Sequence, residues 1–109
     1  MTLNTQSDYS PFNHANIPEV QDFNVLPSFR RRGVGNELMG AIEARAKQDF
    51  ETIGIGVGLH GDYGSAQRLY IKRGYVPDGR GLMYNGEAVP LMTNVMNDNS
   101  LALYLTKAL

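Results

Sequence analysis

The sequence predicts an α/β fold on a mixed sheet, in the order strand, helix, strand, helix, strand, strand. Three observations carry this reading. Val34, Leu38, Ile42 and Ala46 recur at helical spacing, with Ala41 beside them. Ile53, Ile55, Val57 and Leu59 alternate strictly with Gly54, Gly56 and Gly58, the period of a strand. Between that strand and "VPDGRG" lies a second short helical pattern, stopped by Gly74.

In chain order, residues 1–16 carry Ser, Asn, Asp and Pro without a period and read as irregular. The domain then occupies residues 17–109. "IPEVQDFNVL", Ile17 to Leu26, is strand-forming, and a bulge would explain its imperfect alternation. Val34 to Gln48 reads as a helix, with Glu43 and Lys47 as an i,i+4 pair. Gly40 inside it costs about 1 kcal/mol relative to Ala, which suggests close packing against a neighbour. Ile53 to Leu59 is the glycine-alternating strand. Its bare face implies that another backbone or a ligand lies against it. Gly64 to Arg73 is the second helix, with Ser65 as a candidate cap. "VPDGRG" reads as a turn, and "LMYNG" and "SLALYLTKAL" as two further strands. A strand–helix–strand unit predicts a parallel crossover.

The bounds on function are simple. A chain of 109 residues is one small domain. Its 42% hydrophobic and 19% charged residues describe a globular chain. A formal net charge of −1 argues against nucleic-acid binding. There is no cysteine, which excludes disulfides and thiolate chemistry. His14 and His60 stand apart with no carboxylates at ligand spacing, so no metal site is expected. No apolar run approaches the ~18 residues of a membrane span. With no signal-peptide pattern at the N-terminus, a cytoplasmic location is expected.

Several stretches could carry chemistry. "RRRGVG" follows a strand and opens a helix. There, glycines let backbone N–H groups turn toward an anion, and the helix dipole adds partial positive charge. A solvated basic turn is the alternative. "GVGLHG", with Asp78 further on, imitates a dinucleotide fingerprint, but its glycines alternate inside the strand itself. Tyr70 in "AQRLYIKRGY" can be a core residue or a proton donor. Glu19 and Asp22 can be solvated acids or bases.

The combination is more specific than its parts. Pro27, Arg30-x-x-Gly33-x-Gly35, an intervening strand, and Ala66-x-x-Leu69-Tyr70-x-x-x-Gly74-Tyr75 resemble the GNAT N-acetyltransferase superfamily. The first piece looks like its motif A and the second like its motif B. "YGSAQRLYIKRGYVPDGRG" especially resembles bacterial members.

The resemblance implies an N-acetyltransferase that uses acetyl-coenzyme A as cosubstrate and needs no metal. Amides from Arg31 to Asn36 (Arg31, Arg32, Gly33, Val34, Gly35 and Asn36), with Arg30 as the motif arginine, would hold the pyrophosphate. The strand Asp22–Leu26, through Asn24, Val25 and Leu26, would pair with the pantetheine arm. The glycine face of Gly54, Gly56 and Gly58 would lie beside that arm. Ser65 and Arg73 are further cofactor-binding candidates. Tyr70 would protonate the leaving thiolate, and Glu19, with Asp22 second, would deprotonate a small-molecule or peptide amine. A non-catalytic acetyl-coenzyme A- or coenzyme A-binding or regulatory module, or a domain acting only in subunit contact, is the alternative.

The sequence departs from the family pattern in three places. The usual N-terminal half, which shapes the acceptor pocket, is expected to be missing. Tyr63 stands where motif B often carries Asn. The strand Ile17–Leu26 is left with an open edge, which predicts a homodimer or an edge-strand partner, there or through the final strands.

Overall fold

The computed structural model describes residues 1–21 and 34–109. Its described residues form a six-stranded mixed sheet with three α-helices. The strands are β1 (Thr2–Asn4), β2 (Glu19–Gln21), β3 (Thr52–Gly58), β4 (Val76–Tyr84), β5 (Glu87–Ala88) and β6 (Leu101–Ala108). The helices are α1 (Ser10–His14), α2 (Val34–Lys47) and α3 (Gly64–Lys72). The sheet order is β1-β2-β3-β6-β4-β5. β2 and β3 run parallel, as the β2–α2–β3 crossover requires, and every other pair is antiparallel.

The α/β expectation holds, with additions at the N-terminus. Residues 1–16 are not irregular throughout. β1 pairs antiparallel with β2, placing Leu3 opposite Val20. Pro11 stands in the first turn of α1, where its missing N–H costs no helical bond. The open edge expected along Ile17–Leu26 is therefore covered at Glu19–Gln21; residues 22–26 lie outside the described residues. The last strand, β6, is paired on both sides by β3 and β4, so it offers no edge to a partner.

Two apolar clusters lie on opposite sides of the sheet, because side chains alternate along a strand. On one side, Val20, Ile53, Ile55, Val57 and Leu105 meet Met39, Ile42 and Ala46 of α2, with Tyr70 and Tyr75. On the other, the bare glycine face of β3 is filled by rings. A Cβ on Gly54 would overlap Phe12, one on Gly56 would stand 2.9 Å from Tyr104 Cε1, and one on Gly58 would overlap Tyr63. Tyr9 stacks on Tyr104 with centroids 3.8 Å apart, and Phe12 meets Tyr9 edge-on at 4.8 Å. Something does lie against the glycine face: aromatic cover from this chain.

The stripe of α2 is rotated from the predicted one. Gly35, Met39, Ile42, Glu43 and Ala46 are buried, while Leu38 and Ala41 are exposed. The physical reason is Glu43, whose carboxylate finds cationic partners beneath the helix and turns that side inward. Gly40 is half-buried, and a Cβ there would stand 3.5 Å from Arg73 Nη2, an ordinary contact. Gly40→Ala is thus expected to raise stability by about 0.5–1 kcal/mol through helix propensity, measured as a higher urea midpoint.

"VPDGRG" is an excursion within a strand rather than a turn between elements. β4 runs through it, with its register against β6 broken between Pro77 and Leu82. Asp78 Oδ1 accepts the Arg80 N–H at 3.0 Å, and Gly79 and Gly81 adopt positive φ, so the detour keeps its turn chemistry. Asn85 and Gly86, both at positive φ, close the β4–β5 hairpin.

Candidate active site

The predicted cradle is only partly within the described residues. Asp22, Asn24, Val25, Leu26, Arg30, Arg31, Arg32 and Gly33 lie outside them, as does the side chain of Val34. What is described is the start of α2, with Gly35 buried and Asn36 exposed in its first turn. Arg73, the C-cap of α3, reaches this turn. Its Nη1 donates to Asn36 Oδ1 at 2.6 Å and to the Asn36 carbonyl at 3.2 Å. Among the described residues, the helix start itself is what would favour an anion, with Glu37 as an opposing charge in that turn.

Arg73 does not present a free guanidinium, as a direct cofactor contact would need. Nε donates to Glu43 Oε2 at 3.0 Å and Nη2 to Oε1 at 2.6 Å, a bidentate pair. Lys107 of β6 donates to the same Oε1 at 2.9 Å, and the Tyr75 hydroxyl donates to Oε2 at 2.9 Å. Burial pushes the Glu43 carboxyl up, but the hydrogen bonds from Arg73, Lys107 and Tyr75 outweigh it and hold it below its ordinary value. Bonding to Glu43 raises Arg73 in turn, against the opposing effect of burial.

Sequence reasoning missed this network. It read Glu43 as one half of a surface pair with Lys47, yet Lys47 is exposed and Glu43 is buried. A signal was present: Glu43 follows Ile42 and stands one turn beyond Met39, inside the apolar stripe.

Ser65 is exposed in the first turn of α3 and does not cap it. The cap position is Tyr63, which makes no side-chain capping bond, because the chain enters α3 from a 3-10 turn at Gly61–Tyr63. That turn is held by His60, whose Nδ1 accepts the Asp62 N–H at 3.3 Å.

Tyr70 is 4% exposed and packs in the α2 side of the core, its ring 6.0 Å from that of Tyr75. Burial, with a smaller push from Tyr63, raises its hydroxyl to about 12. Glu19 lies on the other side. It is in register with Gly54, whose face holds Phe12, so both point to the aromatic side of the sheet. Ser7 Oγ donates to Glu19 Oε1. Burial lifts the Glu19 carboxyl above its ordinary value, helped by Asp8, while hydrogen bonds from Ser7 and Gln21 oppose it. The structure thus brings Asn36 and Arg73 together and sets Glu19 and Tyr70 on opposite faces of β2 and β3.

Among the described residues, no group of His, Cys, Asp or Glu side chains is placed to hold a metal ion. No described helix is long and apolar enough to cross a membrane.

Comparison with known families gives one match. The family model described as Acetyltransferase (GNAT) domain matches residues 5–77. The match starts within the N-terminal segment and includes both α2 and α3. No curated protein and no solved structure matches the chain.

Proposed function

Because this chain belongs to the acetyltransferase (GNAT) superfamily, we propose that it transfers an acetyl group from acetyl-coenzyme A to a primary amine. The observation that carries this reading is the family match, which spans the strand with Glu19, the glycine-marked start of α2 and the helix with Tyr70. Acetyl-coenzyme A brings an activated thioester. On this reading the start of α2 would bind its pyrophosphate, and Asn24, Val25 and Leu26, outside the described residues, would lie along its pantetheine arm.

The residues then have separate tasks. A primary amine of ordinary pKa near ~10.4 must lose a proton before it attacks. Glu19 takes that proton; its raised basicity suits the role. Asp22 is the second candidate. The amine nitrogen bonds to the carbonyl carbon, the carbon–sulfur bond breaks, and the thiolate takes a proton from Tyr70. Holding the amine and thioester together supplies most of the rate.

A second reading is favoured by one observation. Tyr70 is buried, and a hydroxyl raised to about 12 is a poor donor to a thiolate. On that reading the chain binds acyl-coenzyme A without transfer.

One experiment separates the two. Calorimetric titration with acetyl-coenzyme A is followed by thioester turnover on an amine panel, in wild type and Tyr70→Phe. Transfer predicts binding in both proteins, with turnover lower by about 10²-fold or more in the variant. Binding with no turnover in either selects the non-catalytic module. No binding at millimolar ligand rejects both.

Association of two copies belongs to the same reading. It would use the outer edge of β1 or of β5, because β6 is interior. Sedimentation as a monomer at low micromolar concentration would remove it.

A further inference from the structure

We infer that Arg73 is a positioning residue, which acts through Asn36 to hold the first turn of α2 where the cosubstrate's pyrophosphate binds. The inference rests on the acetyl-coenzyme A reading above and assigns a residue that the reading leaves without a role.

The geometry is that of a strut. Asn36 and Glu43 lie two turns apart on one side of α2, and the Arg73 guanidinium bridges them from the end of α3. Gly40 lies between the two, and the guanidinium passes over it at a distance where even a Cβ would make only an ordinary 3.5 Å contact. The lower end of the strut is fixed. Glu43 is tied to β6 through Lys107 and to the segment after α3 through Tyr75. The Arg73 side chain is 17% exposed, with every nitrogen engaged inside the protein. A guanidinium so committed acts on the helix rather than on a phosphate.

The charge placement points the same way. A cation beside the start of a helix opposes the helix dipole and does nothing for α2 by itself. It becomes favourable when an anion arrives at that end. With its charge paired to Glu43, Arg73 serves that end of α2 chiefly by fixing its position.

Asn36→Ala tests this, because Asn36 is exposed and the change leaves its backbone amide and carbonyl in place. Calorimetry is run with two probes, acetyl-coenzyme A and acetyl-pantetheine, which lacks the pyrophosphate. The expected result is about tenfold weaker acetyl-coenzyme A binding, the loss of one charge-assisted bond. The same variant should show no comparable loss with acetyl-pantetheine and little change in melting temperature. Arg73→Gln in the Asn36→Ala background should cost less than the two single losses added, since both act on one strut. Arg73→Gln disturbs the buried Glu43; if it does not fold, Asn36→Ala carries the test alone.

Unchanged or tighter acetyl-coenzyme A binding in Asn36→Ala overturns the inference, as expected if a released Arg73 touched phosphate directly. Equal loss with both probes, alongside a lowered melting temperature, also overturns it by showing a merely structural role. A wild-type chain that binds neither probe overturns the cosubstrate reading and this inference with it. Wild-type binding with an unaffected variant overturns the inference alone.

Discussion

Glu43→Ala should destabilise the protein by about 3 kcal/mol, the low end for breaking a buried ion pair. The low end applies because Lys107 keeps 24% of its side chain exposed and can recover some hydration. Removing the carboxylate leaves Arg73 and Lys107 facing each other with no counter-charge, and leaves the buried Tyr75 hydroxyl without its acceptor. Urea denaturation measures the effect. Exposed Glu37, in the same helix, serves as the control: Glu37→Ala should stay within about 0.5 kcal/mol. If the two variants lose the same stability, the network is not what fastens α2 to the sheet.

The same residue sets a pH dependence. The Glu43 carboxyl is held below its ordinary 4.5 in the folded chain. Folding therefore gains from its ionised form. That gain is complete above the ordinary value and is lost as pH falls through the depressed folded value. Stability should decline below about pH 4.5, more steeply in wild type than in Glu43→Gln, which cannot titrate. Equal slopes in the two proteins would assign the acid loss to other carboxylates.

Gly54→Ala should lower stability by about 1–3 kcal/mol, the usual cost of forcing extra volume into a filled core. The new methyl would fall within the ring of Phe12, which is fully buried and packed edge-on against both Tyr9 and Tyr104. Phe12 cannot turn aside without disturbing that stack. Phe12→Ala alone should cost about 3–5 kcal/mol by opening a cavity. Made together, the two changes should cost less than their sum, because the methyl enters the space the ring has left. Strict additivity in the urea midpoints would show that Phe12 does not sit on Gly54. The consequence reaches the site, since Glu19 pairs in register with Gly54 beneath the same cover.

Much of this molecule is legible locally. The period of Ile53, Ile55 and Val57 marks β3, and the motif pieces around Gly35 and Tyr70 fall on helix starts and helices as their spacing requires. Gly74 at φ +96 ends α3 as a glycine stop should. The all-glycine face also announced that a neighbour must approach closely. Its identity was not legible. Phe12, Tyr63 and Tyr104 come from three different segments, and no short-range pattern links them.

The sequence by itself determined the main run of strands and helices from β2 onward, the parallel β2–β3 crossover and the family, but not β1 and α1, because the former depend on residue spacing within single elements. Tertiary structure alone decided which way α2 is turned, what covers β3 and what Arg73 does. Arg73 meets Glu43 across 30 residues and Asn36 across 37, and Lys107 meets Glu43 across 64. Charge on a helix surface looks alike in sequence whether it faces water or a partner. Only the folded chain supplies the cations that make burying Glu43 favourable, and with them the strut that fixes the start of α2.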